Sequence, residues 1–146
     1  MANISKYLED KWLDMLKGAA YNAPAAVYVG LIDNTADEAE MEGDTPKVSE
    51  ITGYTGFRKA ITFGAISKAG TDPSEMDGPP GAAIEFASMP APAGRTVKYF
   101  ILVDEDGNPA WAGNVLGWSE ITGGPKVWNT GDTFRIPIDN ITVKLD

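Results

Sequence analysis

Acidic side chains are the residues best suited to chemistry in this sequence, which has 21 Asp and Glu residues, no histidine and no cysteine. Two carboxyl groups a few ångströms apart can cleave a glycosidic bond. Most of these acids, however, fall in predicted loops or on the polar side of a predicted helix, which is typical of a solvated surface. Nucleophiles activated by histidine are excluded, and no Gly-x-Ser-x-Gly motif is present. We therefore expect no catalytic residue and no cofactor, so that the chain is not an enzyme.

The acidic segment DEDGN at 104–108 has two interpretations. Oxygen-bearing side chains at every second position resemble the first ligands of a calcium loop. Such a loop then needs a glycine where this sequence has Pro109, and a bidentate glutamate where it has Val115. A β-hairpin explains the same residues, because Asp and Asn favour turns and Gly supplies positive φ. The hairpin is our expectation and no metal site is predicted, with the cation site kept as the alternative.

Charge restricts the partners of the chain. The formal net charge is −9, and an acidic protein is repelled by nucleic-acid phosphates and by anionic membranes. Acids are densest in a predicted loop at 33–50, which carries seven of them against the single Lys47. There is no apolar run of about 20 residues and no apolar leader. We expect no nucleic-acid partner, no membrane partner and synthesis in the cytoplasm.

Residues 3–17 have the pattern of an amphipathic helix, with Asn3 as the predicted N-cap and Gly18 as the C′ residue. Its apolar stripe recurs at a spacing of four residues. Such a helix either covers the β domain or docks on a neighbouring subunit.

Trp118 and Trp128 lie in a stretch at 117–130 that we predict to be irregular. They either pack locally, join a subunit interface or form a platform for glycans. The interface candidates are Ile4, Leu8, Trp12, Leu16, Trp118 and Trp128.

From Pro24 onward the apolar period changes to two, which indicates strands. Both faces of the strand at 25–32 carry apolar residues, so both faces are expected to be covered. Strands are predicted at 25–32, 57–63, 83–88, 95–103, 110–115 and 132–145, with a loop rich in Gly and Pro at 68–81. This pattern predicts a mainly β fold, a β-sandwich of jelly-roll or immunoglobulin-like type with one short N-terminal helix. The predicted domains are the helix at 1–18 and a single β-sandwich domain at 24–146 that contains the acidic loop.

The last predicted strand changes phase. Its apolar residues are even-numbered from Phe134 to Ile138 and odd-numbered from Ile141 to Leu145. A regular strand cannot keep both sets on one face, so we predict a bulge or bend near Asp139.

Five segments in this order resemble a family of small phage virion proteins, often labelled tail fibre or virion structural proteins. They are ISKYLEDKWLDMLKG, APAAVYVGLIDN, SEITGYTGFRKAITFGA, VKYFILVDEDGNPAWAGNVL and GDTFRIPIDNITVKLD. The third is similar to the family's Gly-Tyr-x-Arg strand, here with Arg58, and the last to its Gly-Asp-Thr-x-Arg-Phe-Pro segment, here with Ile136 before Pro137. The acidic loop at 33–50 is longer than the family pattern.

The resemblance implies a structural protein of the virion, made in the host bacterial cytoplasm, with other virion proteins and copies of itself as partners. Size, acidity and the lack of catalytic chemistry favour a decoration or cement subunit on the capsid surface. The alternative is a tail fibre or adhesin module that binds host glycans. A homo-oligomer is expected, because the strands at 27–32 and 97–103 carry apolar residues on both faces and symmetric assembly is common.

Overall fold

The computed structural model describes residues 3–42, 50–51, 58–68, 74–87, 94–107 and 112–145. These ranges contain mainly β-structure and one short N-terminal helix, as predicted, together with one further helical turn. The elements are β1 (Asn3–Ile4), α1 (Lys6–Leu16), β2 (Val27–Asp33), α2 (Glu38–Glu42), β3 (Lys59–Ile61), β4 (Ser67–Lys68), β5 (Ser74–Gly78), β6 (Ile84–Phe86), β7 (Arg95–Val103), β8 (Val115–Glu120), β9 (Lys126–Trp128), β10 (Phe134–Ile136) and β11 (Ile141–Leu145).

The largest sheet is antiparallel and is built around β7, whose predicted bounds are confirmed at both ends. Its strand order is β1-β8-β7-β2-β3. On one edge β7 pairs with β2; on the other it pairs first with β9, at 95–97, and then with β8, at 99–103. The alternation of apolar residues along β7 explains this central position, since both of its edges and both of its faces are covered.

The two smaller sheets are consecutive parts of one interrupted ribbon. In one part β5 pairs with β11, so that Gly78 lies opposite Ile141, and β4 adds to the outer edge of β5. In the other part β6 pairs with β10, so that Ile84 lies opposite Ile136. Between them the N–H of Asp139 donates to the carbonyl oxygen of Pro79 across 3.1 Å. Asp139 has φ 53°, which confirms the predicted bend. The even-numbered apolar residues of β10, before it, and the odd-numbered ones of β11, after it, therefore belong to separate strands.

Two apolar clusters cover the two faces of the large sheet, which makes the fold sandwich-like. The main cluster lies between this sheet and the ribbon, and its buried members include Leu31, Phe86, Trp128 and Ile141. The second cluster is on the opposite face, where Ile32 of β2 packs with residues of α2, β7 and β8. Adjacent residues of β2 therefore enter different clusters, which confirms that both of its faces are covered.

Three predicted loops contain regular structure. The acidic loop 33–50 includes α2, and its last residue, Glu50, is buried and bridges to β2. The loop at 68–81 includes β5, and the stretch at 117–130 includes β9 and most of β8. In β8, Gly117 is required by close packing, because a Cβ atom there would lie 2.8 Å from the carbonyl oxygen of Asn3 in β1. The sequence suggested loops because glycines and polar residues interrupt the apolar alternation.

The predicted strand at 110–115 is wrong over the part that the structure describes, because β8 begins only at Val115. Phe57 of the predicted strand at 57–63 and Trp111 lie outside the described residues. The division into units 1–18 and 24–146 stays a prediction. None of the helices in the described ranges has the length and apolarity needed to cross a membrane.

Candidate functional site

The N-terminal helix begins at Ser5 and not at Asn3. The buried Ser5 hydroxyl accepts a hydrogen bond from the N–H of Leu8 (3.2 Å) and donates to the carbonyl oxygen of Val115. Asn3 and Ile4 instead pair with β8, so Ile4 is not part of a helical stripe. The prediction for the helix start is therefore wrong, because strand pairing competes successfully for these two residues. Gly18, with φ 86°, follows the helix as predicted.

Most apolar residues of α1 face away from the protein, with Leu8 as the exception. The side chains nearer to the body are Tyr7, Leu8, Lys11 and Asp14, all half-buried, and no residue of the helix is buried. Three of these four are polar or amphipathic. Outside lie Trp12, Leu13, Met15 and Leu16, which are exposed by 37%, 57%, 47% and 85%. These four residues form what we call the exposed helix face.

Neighbouring residues hold α1 in place at its start. Its cap bonds to β8, and the helix packs beside that strand. Tyr21, which follows the helix, is half-buried. The pKa of Tyr21 is raised above its ordinary value, mainly by burial and to a smaller extent by the nearby Tyr7 and Asp104. The helix is thus fixed to the sheet while its apolar side remains accessible.

Trp118 and Trp128, two of the predicted interface residues, belong to the interior of the chain. Trp118 is in β8 and packs edge-on against Tyr99, with ring centroids 5.7 Å apart. Trp128 is in β9 and donates from Nε1 to the carbonyl oxygen of Asp132 across 2.7 Å. Both are almost completely buried. The prediction that they lie in an irregular stretch is wrong, and neither ring offers a surface for a glycan.

Two buried charges, Glu50 and Arg58, form a structural ion pair. Glu50 and Arg58 have side chains that are 0% and 3% exposed, and two parallel hydrogen bonds of 2.7 and 2.9 Å join them. Arg58 also donates from Nη1 to the carbonyl oxygens of Glu105 and Ala112 (2.9 and 2.7 Å). Gly30 leaves room for the carboxylate, because a Cβ atom there would lie 2.6 Å from Glu50 Oε1. Through Arg58, the carboxylate of Glu50 therefore links the chain beside β2 to the connection between β7 and β8.

The acidic turn after β7 is also held by internal hydrogen bonds. Asp104 accepts from the backbone N–H of Asn114 at Oδ1 (2.6 Å) and from its Nδ2 at Oδ2 (2.8 Å). Gly107 has φ 85°, which suits a turn. Asn108 lies outside the described residues. Within the described ranges no group of three or more acidic residues is close enough to hold a metal ion.

A groove of about 420 Å³ lies between the large sheet and the ribbon. Its floor is a row of directly paired residues, Leu31, Phe100 and Ser119, from β2, β7 and β8. Residues of β10 and β11 form the wall on the ribbon side, and Ile121 and Thr122, between β8 and β9, also line the groove. Sequence reasoning missed this site because its lining residues come from six strands that are spread along the chain, from β2 to β11.

The chain matches the model of a known family. The model of a family described as podophage GP4 fiber I protein gp80 matches residues 3–144. The chain belongs to this family. No curated protein matches it. This phage fibre family confirms the resemblance inferred from the five segments: the chain is a structural protein of a phage virion and is located in the virion. It also indicates that other virion proteins are its partners.

Proposed function

We propose that the chain is a non-enzymatic subunit of a phage fibre. The observation that carries this proposal is the match to a family whose description is that of a fibre protein, over residues 3–144. Size and acidity favoured capsid decoration in the sequence analysis. Those two properties suit a fibre subunit equally well, and the family description favours the fibre. Capsid decoration is the alternative that the experiment must distinguish.

The absence of an enzymatic role is part of this proposal. Glu50 is fully buried, and its carboxylate is bonded twice to Arg58. Both carboxylate oxygens of Asp104 accept hydrogen bonds from Asn114. These two acids support structure at places where a carboxylate would otherwise be a candidate for catalysis. Their arrangement supports a role that depends on contacts between proteins.

The exposed helix face is the surface that we propose for attachment to the particle. A short helix normally turns its apolar side toward its own domain, but α1 turns Trp12, Leu13, Met15 and Leu16 outward. Contiguous exposed apolar side chains of this kind mark protein–protein interaction sites. The proposed partner is another virion protein, and contact would remove these four side chains from water. Ile4, Trp118 and Trp128 contribute no surface to this face.

Location and copy number on purified particles test the fibre proposal. Antibodies against the chain, detected by gold labelling in electron micrographs, should mark the appendages, while antibodies against the major capsid protein mark the head as a control. Quantitative mass spectrometry should give few copies of the chain relative to the major capsid protein. Labelling spread over the head, with a copy number close to that of the capsid protein, would overturn the fibre proposal and favour decoration.

A further inference from the structure

The groove between the large sheet and the ribbon is open, and its surface is chemically mixed. Phe100 supplies a half-buried apolar floor, behind which Leu31 is fully buried, and Phe134 supplies a half-buried aromatic ring on the opposite wall. Phe134 is held in position by the ring of Trp128, whose centroid is 5.8 Å away. The volume of about 420 Å³ is within the range of small-ligand sites. The groove is therefore large enough for two sugar rings and presents aromatic carbon to them.

Polar side chains surround this apolar floor. Hydroxyl and amide groups come from Thr122 and Asn140, both exposed at the groove. Sugar rings match such a surface, because their C–H faces pack on aromatic rings while their hydroxyls bond to polar groups at the edge. A purely apolar ligand would leave these polar groups without water or a partner, which costs free energy.

Charge selects among sugars. Among the described residues, the groove is lined by two cations, Lys126 and Arg135, and by one carboxylate, Glu120, although the chain as a whole carries a net charge of −9. Lys126 bonds to a carbonyl oxygen within its own turn at 3.4 Å, and Arg135 meets Glu85 at 3.7 Å with both side chains exposed. Both cations can therefore reorient toward a ligand at small cost. A negatively charged ligand is favoured over a neutral one.

We propose that this groove binds a saccharide that carries a carboxylate. The sugar rings pack against Phe100 and Phe134, the carboxylate meets Lys126 and Arg135, and the hydroxyls bond to Thr122 and Asn140. The proposal is for binding without cleavage, because most enzymes that hydrolyse glycosidic bonds use two carboxyl groups and the described residues of the lining include one, Glu120. This site replaces the glycan platform predicted from Trp118 and Trp128, which are buried.

Binding to the isolated full-length protein tests the inference separately from the fibre proposal, since no particle is needed. The probe is digalacturonate, with digalactose as the matched neutral sugar and sodium acetate as a carboxylate without a sugar. We expect digalacturonate to bind with a Kd of roughly 1 mM and to shift the NMR signals of Ser119, Thr122 and Asn140. Digalactose should bind at least about threefold more weakly, and acetate should leave these signals in place.

Two variants remove one positive charge each and differ only in location. Lys126→Gln, in the groove, should weaken digalacturonate binding by about three- to fivefold. Lys17→Gln, at the exposed C-cap that follows α1, should leave the Kd unchanged. Both side chains are exposed, so the melting temperature should stay at the wild-type value in both. Equal weakening by the two variants, equal affinity for the two sugars, or no binding of digalacturonate would each overturn the proposal. The fibre proposal would still stand, because it depends on location in the particle.

Discussion

Glu50 has no access to solvent, and its charge is compensated by the guanidinium of Arg58 in a bidentate pair. Glu50→Gln preserves the shape of the side chain but leaves the positive charge of Arg58 buried without its counter-ion. Removing one partner of a buried pair costs about 3–5 kcal/mol of the free energy of unfolding. Urea denaturation followed by tryptophan fluorescence should show a loss of this size.

The exposed pair formed by Glu85 and Arg135 is the matched control for this ion pair. Its atoms are 3.7 Å apart and both side chains are more than half exposed. Glu85→Gln should therefore change the free energy of unfolding by less than about 1 kcal/mol. If Glu50→Gln were no more costly than Glu85→Gln, the buried pair would not be a stabilising contact between β2 and the turn after β7.

Gly30 should also be intolerant of a side chain, at a smaller cost than that of neutralising Glu50. A Cβ atom at position 30 would lie 2.6 Å from Glu50 Oε1 and 3.0 Å from Ile101, so Gly30→Ala should cost about 1–3 kcal/mol of unfolding free energy. Gly64→Ala is the control, because its nearest neighbour would be 3.5 Å away and its cost should stay within about 1 kcal/mol. Equal melting temperatures for the two variants would contradict this account.

These contacts between single residues were the part of the structure least accessible from sequence. Seven acids of the segment at 33–50 look alike in composition, and only the fold shows that Glu50 is buried between Gly30 and Arg58. The resemblance to the phage family did point to the right segments, since Gly30, Arg58 and the turn after β7 lie in three of them. Their meeting point depends on pairing between residues that are distant along the chain.

At the scale of elements, the cap of α1 gives the next prediction. Ser5→Ala removes the acceptor for the N–H of Leu8 and the donor to Val115, and should cost about 1–2 kcal/mol of unfolding free energy. Asn3→Ala should cost no more than about 0.5 kcal/mol, because Asn3 is exposed and contributes to β1 through its backbone. Thermal unfolding by circular dichroism distinguishes them. A larger effect from Asn3→Ala would restore the sequence-based choice of cap.

Strands whose own residues show a clear apolar alternation were predicted well. The alternation in β7 fixed both of its ends, and the phase change between Phe134 and Leu145 fixed the bend at Asp139. In contrast, β5 is polar, with the sequence SEMDG, and becomes a strand because β11 pairs with it along its whole length. Similarly, the glycine in β8 looked like a loop residue, although it accommodates β1. Pairing of this kind has no signature within the segment itself.

For the molecule as a whole, the reason first given for self-association no longer holds. The apolar residues on both faces of β2 and β7 are covered by the two clusters of the chain itself. The homo-oligomer therefore stays a prediction that no longer rests on those strands. Among the residues that the structure describes, the large apolar side chains that are still exposed lie mainly on α1, with isolated residues elsewhere, such as Ile66 and Val127. Assembly should accordingly depend on the helix more than on the sandwich.

Replacing Trp12 and Trp128 one at a time should separate assembly from folding. Trp12 is 37% exposed and Trp128 is 1% exposed, so Trp128→Ala should cost about 3–5 kcal/mol of unfolding free energy. Trp12→Ala should cost less than about 1.5 kcal/mol, because its ring is already partly in water. In particles assembled with each variant, Trp12→Ala should reduce incorporation by the equivalent of about 2 kcal/mol or more, as expected of an aromatic residue at the centre of an interface.

A second helix variant distinguishes a loss of incorporation into particles from a loss of folding stability. Leu16 is 85% exposed and contributes almost nothing to the interior, so Leu16→Ala should leave the melting curve unchanged and still lower incorporation into particles. If Trp12→Ala were as destabilising as Trp128→Ala, the helix would belong to the core. If both helix variants entered particles at the wild-type level, the exposed helix face would not be the attachment surface, and contact would have to come from the sandwich.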